Sequence, residues 1–295
     1  EERTFDELAD ARLVAERFGT DHHELVLRPD AALLLPALAE AFDEPFADSS
    51  ALPTYLVSRL AADNVKVALS GEGGDELFGG YYTYAADLLA ERAGWTAPLL
   101  RPFVQRLPSS SARASLDYKA KRFVKAAHLP ALERHHGWKE IFSPEARAEL
   151  TGRSSDFDPV DLLRARFEET GGAELLARLQ DVDLGTYLVD DLLVKTDRAS
   201  MAHSLEARVP FLDPVVTNFA LGLPTRHKVR GLRKKVLLRK AAAPLVPSEL
   251  LRRRKRGFSI PAAAWLRGEL EPFARETLSS DSLRRQGFFR PEAVS

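Results

Sequence analysis

Apolar residues at Leu8, Ala11, Ala15 and Phe18 recur at helical spacing through Phe5–Phe18, and Gly19 follows where a helix C-cap belongs. An amphipathic helix is predicted there. His23–Leu27 alternates as a short strand would, and Asp30 is placed to cap a helix running to Phe42, with Pro36 as a kink or restart. Pro53–Ala62 reads as a further helix, followed at once by the compact apolar run Val65–Leu69, a buried strand. The order helix, strand, helix, strand predicts an α/β fold: a parallel sheet with crossover helices and ligand loops at the carboxyl ends of its strands. Beyond Tyr84 the pattern changes. From Arg92 to Gln180 it is helical, broken by Pro and Ser clusters and without a strand, and Pro108–Ser111 and Thr151–Asp158 read as loops. Residues 1–92 are thus expected to form an α/β nucleotide-binding part and residues 93–295 a mainly helical part. Further on, Asp213 and Pro214 supply an N-cap and first position for a helix with Val215, Val216, Phe219 and Ala220 on its apolar face.

The 295 residues, 45% hydrophobic, suffice for a sizeable core. No apolar run approaches the roughly 18 residues of a membrane span, and the acidic opening EERTFDE is unlike a secretory leader, so a cytoplasmic setting is expected. With no cysteine there is neither a thiolate metal site nor a thiol nucleophile. The net charge of -1 conceals an asymmetry: Arg226–Arg256 holds 13 of the 42 Lys and Arg but one acid, Glu249. Such a run marks either an anion partner or a solvated face.

Three passages carry candidate chemistry. Val65–Leu69 runs into Ser70, Gly71, Glu72, Gly73, Gly74, Asp75 and Glu76, then Leu77, Phe78, Gly79, Gly80 and Tyr81. Glycines allow backbone amides to face an anion, and acids beside a phosphate make sense if Glu72 and Asp75 hold magnesium. The plainer reading is a surface turn with solvated acids; the loop matches neither the Walker A nor the GxGxxG pattern. In the second passage Asp191, Lys195 and Arg198 fall on one side of a helix, as a functional trio or as an exposed ion-pair ladder. Arg208, set in an apolar passage, calls for a buried carboxylate partner such as Glu206 or an aspartate of the preceding helix. In the third, Arg233, Lys234 and Lys235 precede Val236, Leu237 and Leu238, so cations crowd a helix N-terminus. They cost stability there unless an anion, such as a phosphate or pyrophosphate, neutralises them. Nucleic acid would answer the same charges, but the segment has no interleaved aromatics.

Together, VKVALSGEGGDELFGGY (65–81), DDLLVKTDRASMAHSLEARVPFLD (190–213), RKKVLLR and KRGFSIPAAAWLRGEL resemble the synthetase domain of glutamine-dependent asparagine synthetases. Weaker likenesses are RFGTDHHELVL, DEPFADSSALPTYLVSRLA and ERHHGWKEIFSPEARAEL, so the resemblance spans nearly the whole chain. It implies a sheet of the adenine nucleotide alpha hydrolase (ATP pyrophosphatase) type, incomplete at the N-terminus. It also implies a reaction in which ATP adenylates the side-chain carboxylate of aspartate, releasing pyrophosphate, and ammonia from glutamine displaces AMP. By motif, Ser70 and Gly71 would contact the nucleotide. Glu72 and Asp75 would act near magnesium (Mg2+), pyrophosphate and incoming ammonia, and Lys235 would bind phosphate and the intermediate; Glu72 and Lys235 are then the catalytic pair. Asp191, Lys195 and Arg198 would line the substrate side.

Two departures bear on this. The family's SGGxDS signature and its N-terminal glutaminase with a Cys nucleophile do not occur in the chain. As it stands the chain is expected neither to hydrolyse glutamine nor to bind ATP in the family's manner, and it reads as part of a longer protein. A homodimer is compatible with the resemblance, and neither nucleic acid nor membrane is expected as a partner. A related amidotransferase or cyclase of the β-lactam synthetase or lasso-peptide type, and a non-catalytic module, are the alternatives.

Overall fold

The computed structural model describes residues 7–26, 28, 33–108, 116–154, 157–252 and 260–294. Helix α1 (Leu8–Phe18) ends as expected, with Gly19 at φ 61° donating its N–H to Ala15 O. The segment His23–Val26 forms no strand; Leu27 and Asp30 lie outside the described residues. A strand needs a neighbour for its amides. Here the segment lies exposed and turns back to α1, where Glu24 accepts from Arg12 Nε at 2.6 Å. Helix α2 (Leu35–Phe42) takes Pro36 into its first turn, so the proline marks the start, and α3 (Ala51–Ala62) follows.

Strand β1 is Val67–Leu69, and its parallel partner is β2 (Glu206–Arg208), with Val67 opposite Glu206, Ala68 opposite Ala207 and Leu69 opposite Arg208. The crossover between them is therefore long. It holds α4 (Gly74–Phe78), α5 (Tyr82–Ala93), α6 (Ala97–Gln105), α7 (Leu116–Ala126), α8 (Ala131–Gly137), α9 (Pro144–Thr151), α10 (Pro159–Glu169), α11 (Leu175–Gly185), a π-helical segment Tyr187–Leu193 and α12 (Val194–Met201). Beyond β2 come α13 (Pro214–Leu221), α14 (Thr225–Lys228) and α15 (Val236–Ala242). Among the described residues no strand occurs between 92 and 180, as the periodicity indicates. The expectation of a buried strand at Val65–Leu69 is corrected: the strand is Val67–Leu69, Val67 is 42% and Leu69 74% exposed, and among the described residues β1 has one neighbouring strand.

Packing fixes where the loops after β1 and β2 go. Leu38, Phe42, Leu52 and Leu56 of α2 and α3 close over Ala199 of α12, seating that helix beside the sheet. Leu77 and Phe78 of α4 bury against Ala220 of α13 with Phe211 and Leu212 alongside, while Tyr84 of α5 packs on Leu176 and Leu179 of α11. Burying each such leucine contributes about 1.5–3 kcal/mol, which makes this frame rigid relative to the loops it carries. Asp213 caps α13, accepting from the N–H groups of Val215 and Val216. No helix is long and apolar enough to cross a membrane among the described residues.

Candidate active site

The ladder continues one residue past β1: Ser70 N–H donates to Arg208 O at 2.7 Å, so the glycine loop opens at the carboxyl end of both parallel strands. Gly73 takes φ 83°, and a Cβ there would stand 2.3 Å from Leu212 Cδ2, so the turn demands glycine on both grounds. The three acids of the loop then part company. Glu76 is buried in α4 and accepts from Tyr81 Oη; burial raises its pKa although that hydrogen bond opposes the shift. Asp75 and Glu72 stay half-buried at the loop surface. Glu72 accepts from Ser70 Oγ and from Thr196 Oγ1 of α12, each at 2.9 Å.

Lys235 meets Asp75 across the sequence, Nζ to Oδ1 at 3.0 Å. Its backbone is at φ 51°, in the left-handed region where a non-glycine residue is strained, and it forms the N-cap of α15. The expected anion at this cation-bearing helix start is thus already partly supplied by a carboxylate. Gly80 makes the approach feasible: a Cβ there would lie 1.6 Å from Asp75 Oδ1 and 2.5 Å from Lys235 Cε. Lys234 is tied alongside, Nζ donating to Gly80 O at 2.8 Å and lying 3.2 Å from the Tyr82 ring centre. The remaining basic residues Arg253–Arg256, with the rest of KRGFS, lie outside the described residues.

On α12 the predicted trio divides. Lys195 is buried, its Nζ donating to Asp48 Oδ2 and Ser50 Oγ, both at 2.7 Å. Asp191 faces the same aspartate. Burial and then the like charge of Asp48 push its pKa up to about 6, with Lys195 pulling the other way. Asp48 moves oppositely: burial raises it, but the hydrogen bonds from Lys195 and Ser50 prevail and lower it. Arg198 is turned to solvent and does not join them. Arg208 has the partner expected of it, Glu206 at 2.7 Å, but the pair is exposed rather than buried, since both lie on the uncovered face of β2.

Behind the loop lies a buried polar network. Tyr84 Oη donates to Asp183 Oδ2 at 2.6 Å; the His135 ring lies 2.6 Å from Asp87 and 3.1 Å from Asp183; Arg134 Nε donates to Asp87 at 2.9 Å, and Lys139 pairs with Asp183. Burial and Lys139 favour the neutral His135, yet the two aspartates win and raise its pKa. Asp183 is itself held below the usual carboxylate range: burial opposes this, but His135 and Lys139 outweigh it. This network floors a depression of ≈ 270 Å³ bordered by His136, Tyr187, Asp190 and Asp191. A second buried relay runs from Lys228 Nζ to Gln180 Oε1 at 2.8 Å, and Gln180 in turn donates to the carbonyls of Glu76 and Leu77 in α4. Burial pulls Lys228 down to about 8.

The family model described as asparagine synthase matches residues 1–295. The chain belongs to the asparagine synthase family. A putative glutamine-hydrolyzing asparagine synthetase of Mycobacterium tuberculosis (strain ATCC 25618 / H37Rv) is 38% identical over 283 residues, covering 95% of this chain and 43% of the relative. Asparagine synthetase 1 of Bacillus subtilis (strain 168), also named glutamine-hydrolyzing, is 34% identical over 288 residues, 94% of this chain and 44% of the relative. An amidase of Penicillium rubens is 25% identical over 312 residues, 96% of this chain and 45% of its own. The chain therefore spans less than half the length of the curated relatives it matches.

Within this family member, the residues anticipated from sequence form two neighbourhoods. Ser70, Gly71, Glu72, Asp75 and Lys235 surround the loop at the end of β1; Asp191 and Lys195 gather on Asp48 and Ser50. Thr196, next to Lys195, links the two. Gly80 and Thr196 fall within the matching passages, but the sequence assigned neither of them a role. Asp48, Ser50 and His135 were quoted only inside longer matching passages; an Asp and Ser just ahead of a helix were the one local signal, since Asp48 Oδ1 accepts from Ser50 N–H at the start of α3.

Proposed function

We propose that this chain is the synthetase portion of a carbon–nitrogen ligase that forms asparagine from aspartate, using ATP and ammonia drawn from glutamine. The supporting observation is the Asp75–Lys235 pair held beside Glu72 at the carboxyl end of the β1/β2 ladder. On this reading the fold is of the adenine nucleotide alpha hydrolase type. Residues 1–92 serve the nucleotide and 93–295 carry substrate and phosphate contacts, β2 returning to the first part. The setting is cytoplasmic, and a glutaminase domain supplies the ammonia.

In the reaction a carboxylate oxygen of aspartate attacks the α-phosphorus of ATP, and the bond to pyrophosphate breaks. Ammonia then attacks the acyl carbon, the bond to AMP breaks, and the amide nitrogen gives up a proton. Lys235 offsets charge on the phosphates. Glu72, fixed by two hydroxyls, accepts the proton from the attacking nitrogen. Ser70 and Gly71 border the nucleotide, and Asp191 with Lys195 serves the amino-acid side; Arg198, facing solvent, is the weakest member of that group.

The acids fit magnesium when phosphate oxygens complete its shell. Among the described residues no three His, Asp or Glu side chains gather to hold a metal by themselves. Magnesium characteristically uses one or two carboxylates and takes the rest from phosphate and water, so Asp75 and Glu72 would hold it. Bound there, it would neutralise charge on the leaving pyrophosphate.

The test is aspartate-dependent pyrophosphate release from ATP, with the protein expressed together with any coding sequence upstream of Glu1. Glu72→Gln and Lys235→Met should each lower turnover by about a hundredfold or more. Release that aspartate does not stimulate would refute the reading.

A further inference from the structure

Thr54, Thr151, Thr170 and Thr186 each donate their hydroxyl to the backbone carbonyl four residues back. That is one option for a threonine in or just after a helix; Thr225 takes another, donating to the side chain of Glu174. Thr196 likewise turns to a side chain. Its Oγ1 leaves α12 and donates across the fold to Glu72 Oε1 at 2.9 Å. The hydroxyl therefore gives up a local acceptor for a distant carboxylate, on a residue that is itself buried.

The two ends of this hydrogen bond differ in how they are held. Glu72 sits between Gly71 and Gly73 in the loop, and nothing comes within 4 Å of a Cβ built on Gly71, so the loop is open at that neighbouring position. Thr196 stands on a fixed support. The residue before it, Lys195, is pinned by Asp48 and Ser50, and Ala199, three residues on, has no exposed surface and packs with Leu38, Phe42, Leu52 and Leu56. Consecutive side chains of one helix thus reach in two directions, Lys195 to the turn before α3 and Thr196 to the glycine loop. Ser70 Oγ holds the other carboxylate oxygen from the end of the β ladder, two residues before Glu72, so Thr196 supplies the contact from a separate element.

We propose that Thr196 is a positioning residue for Glu72: its hydroxyl fixes the carboxylate in the orientation the acyl transfer uses, with Lys195 bracing the helix that presents it. This rests on the role given to Glu72 above. Geometry matters here because a base displaced by a fraction of a hydrogen-bond length loses much of its rate advantage.

The first arm of the test needs no turnover. In the 295-residue chain, Thr196→Val removes the hydroxyl at nearly constant shape, and amide hydrogen exchange over residues 71–76 should quicken by about tenfold relative to wild type. Thr196→Ser should restore the wild-type pattern. Thr196→Ala serves as the second variant if the extra valine methyl disturbs packing. Unchanged exchange in that loop for the variants lacking the hydroxyl overturns the proposal. The second arm measures pyrophosphate release with upstream coding sequence included: Thr196→Val should lower kcat by about tenfold and leave the KM for ATP within about twofold, with Thr196→Ser rescuing kcat. A normal kcat in Thr196→Val overturns the positioning role. The two readings fail separately: full turnover in Glu72→Gln removes the role of Glu72 itself, whereas an inactive Glu72→Gln with a normal Thr196→Val removes only the inference about Thr196.

Discussion

Replacing Asp191 by Asn should stabilise the protein at neutral and mildly alkaline pH and leave it nearly unchanged in acid. Asp191 has its pKa raised from 3.8 to about 6 by burial and by the charge of Asp48, so the folded state holds its proton more tightly than the unfolded chain does. The carboxyl therefore favours folding fully below about pH 4, and that contribution disappears as pH rises through about 6. A shift of about two units corresponds to ~3 kcal/mol for an enclosed group. Asp191 is only half-buried, and solvent screening reduces this to ~1 kcal/mol. Asn mimics the protonated form at every pH. Urea denaturation of both proteins at about pH 4 and about pH 8 reads the effect, because titrating groups that do not touch Asp191 cancel in the difference between them. The variant should gain ~1 kcal/mol over wild type at the higher pH and nothing at the lower. An equal difference at both pH values would refute the claim that burial and the nearby Asp48 raise the pKa of Asp191.

Gly80→Ala should destabilise by about 1–3 kcal/mol and separate Asp75 from Lys235, because the new methyl would occupy the position of Asp75 Oδ1; a crystal structure with the pair intact would contradict this. Asp183→Asn leaves His135, Lys139 and Tyr84 around a neutral group in a buried site and should cost about 3–5 kcal/mol in chemical denaturation. Since Asp183 is held below its ordinary range, its contribution is present above the unfolded pKa and lost as pH falls through the folded one. The variant's stability should therefore depend less on pH in acid than that of wild type. Lys235→Gly should be more stable than Lys235→Ala by about 1 kcal/mol, because glycine accepts the φ of 51° without strain; equal midpoints would show that the backbone relaxes once the charge is gone.

Local pattern determined α1 with its Gly19 cap, α3, the Asp213 cap, the helical character of the described residues between 92 and 180 and the strand before the glycine loop. These depend on periodicity and on chemistry within a few residues, which the chain carries wherever it folds. The motif residues Glu72, Asp75 and Lys235 were legible for the same reason, as a glycine loop and a crowded helix start. Tertiary structure alone decided what they touch. The partner of β1 is Glu206–Arg208, a segment with a single small apolar residue and no strand pattern, so its pairing comes from the packing of the helices between. The same packing turned Glu76 inward and Arg198 outward from runs where spacing treated their neighbours alike. It also brought Asp48 to Lys195 and Thr196 to Glu72 across more than a hundred residues. Sequence spacing encodes which face a residue can occupy; which distant group occupies the opposite face depends on the free energy of the whole packed arrangement.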